Sequence, residues 1–186
     1  MNFIINIWKK IVGDKMKENL KIYRLDRNEI TKEQFKQIVL VEQSGNEDCY
    51  TEEQLKQIWI DSIKNDNFVC VDNDKIVAHI SFNPYSMRRN GSIYIINLIV
   101  LPDYRRQGIA QQLINTGCEY YLEKGVNLPV SLSVDKDNIP AISLYKKVGF
   151  EKGKPICEID EDDSQYILDA SLNVINENIC NSIRKR

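Results

Sequence analysis

Residues 98–113 read LIVLPDYRRQGIAQQL, and the handover inside this stretch decides how the chain folds. An apolar, β-branched run stops at Pro102. Two arginines and a glycine follow, and then Ile109, Leu113, Ile114, Cys118 and Tyr121 recur at helical spacing until Gly125 ends the series. A strand therefore passes into a helix through a charged turn. The first turn of a helix leaves backbone N–H groups unpaired, and its aligned dipoles favour an anion there. Gly108 lets backbone approach a bulky anion, Ala110 is too small to obstruct it, and Arg105 and Arg106 add positive charge. A pyrophosphate suits that chemistry, although a plain solvated turn would carry the same residues.

Upstream, Leu20–Asn28 (LKIYRLDRN) reads as a first strand. Thr31 then opens a helical series in which Phe35, Ile38, Val39 and Glu42 repeat at three and four. After the loop SGNEDCY, Thr51 and Gln54 form a capping box for a second helix with a stripe at Leu55, Ile58, Trp59 and Ile63. FVCVD and KIVAHISF flank a polar turn and make a hairpin. Ser92–Leu101 is long and almost wholly apolar, the profile of a central strand. Downstream come an alternating strand at Leu128–Val134 and a short helix over NIPAISLYKKVGF. Strands at Lys154–Ile159 and Gln165–Leu168 follow, with acidic DEDDS between them. A last helix carries Leu172, Ile175, Ile179 and Ile183 and ends in RKR. The order β-α-α-β-β-β-α-β-α-β-β-α implies one α/β domain built on a single mixed sheet flanked by helices.

The chain has 186 residues, 42% of them apolar and 28% charged, so it can bury roughly two-thirds of its unfolded surface. Its net charge of −2 gives no pull towards nucleic acid. Five scattered cysteines, Cys49, Cys70, Cys118, Cys157 and Cys180, fit neither a zinc cluster nor a disulfide framework; they suit packing in a reducing, cytoplasmic setting. No metal is expected. No apolar run reaches the ~20 residues of a membrane span. In MNFIINIWKKIVGDKMK, Lys9 and Lys10 interrupt the apolar core, which argues against a cleaved signal peptide. Residues 1–19 read instead as an N-terminal extension: an amphipathic helix docked on the domain, an interfacial helix on a membrane surface, or leader sequence ahead of a start at Met16.

Two segments together carry a resemblance. NLIVLPDYRRQGIAQQLI fits V-x-P-x-x-R-x-x-G-x-[GA] at Val100, Pro102, Arg105, Gly108 and Ala110. DNIPAISLYKKVGF fits N-x-x-A-x-x-L-Y-x-K-x-G-F at Asn138, Ala141, Leu144, Tyr145, Lys147, Gly149 and Phe150. In this order and about thirty residues apart, they resemble the GCN5-related N-acetyltransferase (GNAT) superfamily. The resemblance implies a GNAT domain over residues 20–172, with 173–186 a C-terminal helical extension with a basic end. It implies the acyl-CoA N-acyltransferase fold with splayed central strands, and acetyl-CoA as cosubstrate. Main-chain contacts to the pantetheine then fall to Leu98, Ile99 and Val100. The pyrophosphate falls to the N–H groups of Arg106, Gln107, Gly108, Ile109 and Ala110, with the Arg105 and Arg106 side chains near. Asn138 sits by the pantetheine and caps the helix that carries Tyr145.

The chemistry implied is direct transfer of an acetyl group to an amine, with an N–H near Leu98 steadying the thioester oxygen and Tyr145 as general acid to the CoA thiolate. Where many members place a glutamate, this chain has Asn97, which cannot take a proton. The base is then either a water relay or a carboxylate from another segment. His79, the only histidine, is a conceivable base, though its place on a strand equally suits a satisfied core residue. Glu42, Glu47, Asp48 and Asp160–Asp163 lie in the regions that build the acceptor side and would draw in a cationic amine. A small-molecule or peptide amine is thus the expected partner. Nucleic acid and membrane are not expected, and a homodimer is left open. The alternative is a catalytically silent acyl-CoA-binding sensor or scaffold.

Overall fold

The structure, a computed structural model, describes residues 19–26, 28–44, 50–84, 91–153 and 164–184. The readings for the N-terminal extension, for Glu47 and Asp48, and for residues 154–163 with their acidic run lie outside these. The elements are β1 (Leu20–Leu25), α1 (Lys32–Gln43), α2 (Glu52–Lys64), β2 (Asp66–Asp72), β3 (Lys75–Asn83) and β4 (Ile93–Val100). A 3₁₀ turn (Pro102–Tyr104) leads to α3 (Ile109–Glu123), β5 (Pro129–Asp135), α4 (Ile139–Val148), β6 (Glu151–Lys152), β7 (Gln165–Ser171) and α5 (Leu172–Arg184). The strands form one seven-stranded sheet in the order β1-β2-β3-β4-β5-β7-β6. Only β4 and β5 pair in parallel, and α3 is their crossover.

Local chemistry sets most of the boundaries. β1 stops at Leu25, short of the expected Asn28, because the Asp26 carboxylate accepts from the Asn28 N–H and the Asp26 carbonyl from Glu29 N–H, closing a turn. Thr31 and Gln34 form a reciprocal capping box at the head of α1, and Thr51 with Gln54 does the same for α2. Asn73 and Asp74 turn the β2–β3 hairpin with φ of 47° and 67°, the left-handed pair that a two-residue turn requires. β7 runs three residues past the expected Leu168, because Asp169, Ala170 and Ser171 complete the ladder with β5.

Two apolar layers cover the sheet. Ile38 and Val41 of α1 pack with Leu25, Val69, Val71 and Ile76 on one side. A larger cluster on the other joins α3, α4 and α5 to the strands, with Leu172 and Ile175 of α5 wholly buried in it. α3 lies so close to β3 that a side chain at Gly117 would overlap the Phe82 ring. The helices thereby pin the sheet on either side of β4.

Candidate active site

β4 and β5 pair only at Ile93↔Val130 and Tyr94↔Ser131, although both strands continue. On its other edge β4 stays paired with β3 as far as Ala78↔Val100. The register there jumps from Phe82↔Ile95 to Ser81↔Asn97, so Ile96 is an extra residue in the ladder. A bulge bends its strand and sharpens the twist. Here it falls two residues past Tyr94, the last β4 residue paired with β5. Beyond it, Leu98, Ile99 and Val100 have no strand partner on the β5 side among the described residues.

The turn that follows places the anion-favouring groups at the end of this open edge. Arg106 and Gly108 are both left-handed, with φ of 64° and 81°. No side chain caps α3, and Gln112 N–H is bonded to Gly108 O at 3.1 Å. The N–H groups of Ile109 and Ala110, in the first turn, precede that ladder. Gln107 braces the loop by donating to Asp103 O at 3.2 Å. Arg105 differs from expectation: its Nε donates to Val100 O at 3.0 Å, so the guanidinium is tied to β4 instead of swinging free. Arg106 is exposed, and no such bond ties it down among the described residues.

Across the opening, Asn138 Oδ1 accepts from Ala141 N–H at 3.2 Å and caps α4, as its position in the sequence implies. Two turns on, Tyr145 is buried edge-to-face against Phe150. Burial, reinforced by the neighbouring Tyr94, pushes its phenol up to about 12. Sequence reasoning missed Tyr94 and Ser133, whose hydroxyls share a 2.7 Å hydrogen bond that ties β4 to β5 just past their last paired residues. Nothing in the local pattern marks either residue. Cys70 and Cys118 are buried free thiols, and burial lifts Cys70 to about 12, which suits packing and not nucleophilic chemistry.

The other side of β4 holds a polar cluster in an otherwise apolar layer. Glu42 of α1 is 3% exposed and accepts from Asn97 Nδ2 at 3.0 Å. His79 is 1% exposed, with Nδ1 3.2 Å from Glu42 Oε1 and Nε2 3.0 Å from Asn67 Oδ1. The distance to Glu42 is that of an ion pair, but Nδ1 is off the line of a hydrogen bond. A carboxylate from another segment thus lies within hydrogen-bond reach of Asn97. The signal was present: Glu42 falls in the α1 series with Phe35, Ile38 and Val39, which is a carboxylate on a buried stripe.

The family model described as the acetyltransferase (GNAT) family matches residues 29–150. The chain belongs to that family. Among curated relatives of this GNAT chain, mycothiol acetyltransferase of Corynebacterium aurimucosum is 34% identical over 67 residues, 36% of this chain and 21% of the relative. The chain thus spans about a fifth of that protein's length. Solved structures share the GNAT fold. The ribosomal-protein-S18-alanine N-acetyltransferase of Escherichia coli superposes with a TM-score of 0.62 at 20% identity, over 82% of this chain and 94% of that one. A GNAT family acetyltransferase from Elizabethkingia anophelis, solved with acetyl-CoA bound, gives 0.58 at 15% identity, over 83% and 99%. No group of three or more His, Cys, Asp or Glu among the described residues could hold a metal ion, and no helix among them is long and apolar enough to cross a membrane.

Proposed function

We propose that the protein is an N-acetyltransferase that moves the acetyl group of acetyl-CoA directly to a primary amine, either a small molecule or a peptide amine. One observation carries the reading: the unpaired edge of β4 runs straight into the uncapped start of α3, with Tyr145 buried nearby on α4. An amide-rich pantetheine suits the first feature as an added strand would. A pyrophosphate suits the second. Leu98, Ile99 and Val100 would hold the arm. Arg106 to Ala110 would hold the diphosphate through main-chain N–H groups, and the Arg106 side chain is free to follow it. Arg105 would act by fixing Val100. Acetyl-CoA supplies an activated thioester.

Tyr145 supplies a proton or a hydrogen bond to the departing sulfur. A phenol near 12 facing a thiol of about 8.5 in water would make full transfer uphill by ~5 kcal/mol. The same burial raises the thiol as well, which narrows that gap at the moment sulfur departs. Tyr145 stays protonated at neutral pH and is ready to donate. Support for amine acceptors comes from the relatives: one is named for mycothiol and one for an alanine N-acetyltransferase.

The test is an amine panel of polyamines, aminoglycosides, lysine and peptide α-amines, incubated with acetyl-CoA and read by thiol release. Release with one class assigns the acceptor. Acetyl-CoA binding by calorimetry without release on any amine would favour a silent acyl-CoA-binding domain instead.

A further inference from the structure

The cleft beneath Asn97 holds more than a stray carboxylate. Its walls are set by Glu42, Asn67, His79, Ser81, Asn97 and Ile96, and Glu42 and His79 are the only titratable groups among its described lining residues. The hydrogen bonds fix how His79 is protonated. Asn67 Nδ2 donates to Asn65 O at 3.2 Å, which turns Asn67 Oδ1 towards His79 Nε2 at 3.0 Å. An oxygen accepts, so Nε2 must carry the hydrogen. Nδ1 is then the nitrogen that exchanges a proton, and it lies 3.2 Å from Glu42 Oε1.

Without a proton on Nδ1, two lone pairs face each other in a poorly screened interior. With one, imidazolium and carboxylate attract. The site is therefore built to accept a single proton. Packing does not call for it: a buried ion pair is commonly matched or bettered by apolar residues of the same size, and its neighbours Ile38 and Val41 on α1 are apolar. Size limits what can enter. The space open to water-sized spheres is ≈ 30 Å³, room for one or two waters and too little for the body of an amine.

The geometry points to Glu42 and His79 as the proton-accepting pair for the amine, acting through water in this cleft, with the charge on Glu42 drawing a primary ammonium to its mouth. The inference rests on the acetyltransferase reading. Asn97 lines the cleft and is the chain neighbour of Leu98, the residue assigned to the acyl carbonyl. In the balanced step, R–NH3+ gives one proton to cleft water, which passes one to His79 Nδ1 and leaves R–NH2. The nitrogen lone pair forms the C–N bond as the C–S bond breaks. Tyr145 passes its proton to sulfur, the new amide nitrogen gives its second proton to solvent, Tyr145 takes one back from solvent, and His79 returns its proton to solvent. The sum is R–NH3+ and acetyl-CoA giving R–NH–CO–CH3, CoA–SH and H+.

His79 is the only histidine in the chain, so its imidazole gives an unambiguous nitrogen NMR signal in the full-length protein. The expected result is hydrogen on Nε2 of the neutral imidazole, with Nδ1 bare. Hydrogen on Nδ1 of the neutral imidazole would overturn the pair while leaving the transferase reading intact. This arm needs no acceptor and no variant at position 79. The second arm uses an alkylamine that the parent protein acetylates. Glu42→Gln and His79→Gln should each lower kcat/KM by about 10²-fold at neutral pH. Acetyl-CoA Kd should not change, and the loss should shrink with an alkoxyamine, which arrives uncharged. An equal loss for charged and uncharged amines would reduce the pair to a structural role and sink the proposal. No thiol release from the parent protein with any amine would instead sink the transferase reading itself.

Discussion

Leu98 and Val100 turn their side chains into the large apolar cluster under α3, while Asn97 reaches across the other side of β4 to Glu42 on α1. On the first side, the features suited to a ligand are main chain: an unpaired strand edge and the N–H groups of a helix start. On the second they are side chains, drawn from α1, β2, β3 and β4. Main-chain recognition needs few residue identities but strict conformations, such as the left-handed Gly108. It therefore writes a short local pattern. Side-chain recognition needs identities at positions far apart in sequence and writes none. Physical independence of the two sides is the consequence to test: cofactor affinity and acceptor chemistry should break separately.

The largest separation is expected at Tyr145. Replacing it with Phe keeps the ring packed on Phe150 and removes only the hydroxyl. Turnover should fall by about 10²-fold or more, with acetyl-CoA Kd unchanged, because a donor to the departing sulfur matters only in the transition state. Stopped-assay kcat beside calorimetric Kd checks it. A variant as active as its parent would remove Tyr145 from the chemistry and leave the cofactor side with a binding role alone.

Gly108→Val should show the complementary pattern. Its φ of 81° is strained for a β-branched residue, and the new side chain would stand at the N–H groups assigned to the diphosphate. Acetyl-CoA affinity should drop roughly 10- to 100-fold, in line with the loss of several charge-assisted hydrogen bonds. The His79 nitrogen spectrum should not move, because the acceptor cleft is built from other elements. Unchanged affinity would tell against this loop as the diphosphate site.

The same contrast explains what could be read in advance. The element order from β1 to α4, the capping box at Thr51 and the opening between β4 and β5 follow from spacing and from the two motifs. The turn at Asp26 was missed because an aspartate caps a turn only when its partner N–H is in place, a geometric condition and not a compositional one. Arg105 was expected to meet a ligand. Its reach back to Val100 depends on how the 3₁₀ turn folds, which the residues alone do not state. Glu42 was visible as a member of the α1 series, but its burial became meaningful only once His79 and Asn97 were brought to it from two strands. Tyr94 and Ser133 meet only because the strands part just beyond Ser131.

The smallest effects belong to the caps, and they discriminate best because chemistry and packing stay in place. Thr31 caps α1 on the acceptor side, and Asn138 caps α4 on the cofactor side. Removing either side chain by substitution with Ala should cost about 1 kcal/mol of stability, since each leaves one N–H group at a helix start without its partner. The losses should be equal in denaturant titrations and unequal in function. Asn138→Ala loosens the first turn of the helix that carries Tyr145 and removes a side chain assigned to the pantetheine, so it should weaken acetyl-CoA binding a few-fold. Thr31→Ala lies at the far end of α1 from Glu42, and α1 is held between its ends by Ile38 and Val41, so acetyl-CoA affinity should hold. If both variants weaken the cofactor alike, the two sides of β4 are coupled through overall stability, and the division between main-chain and side-chain recognition is not a physical one.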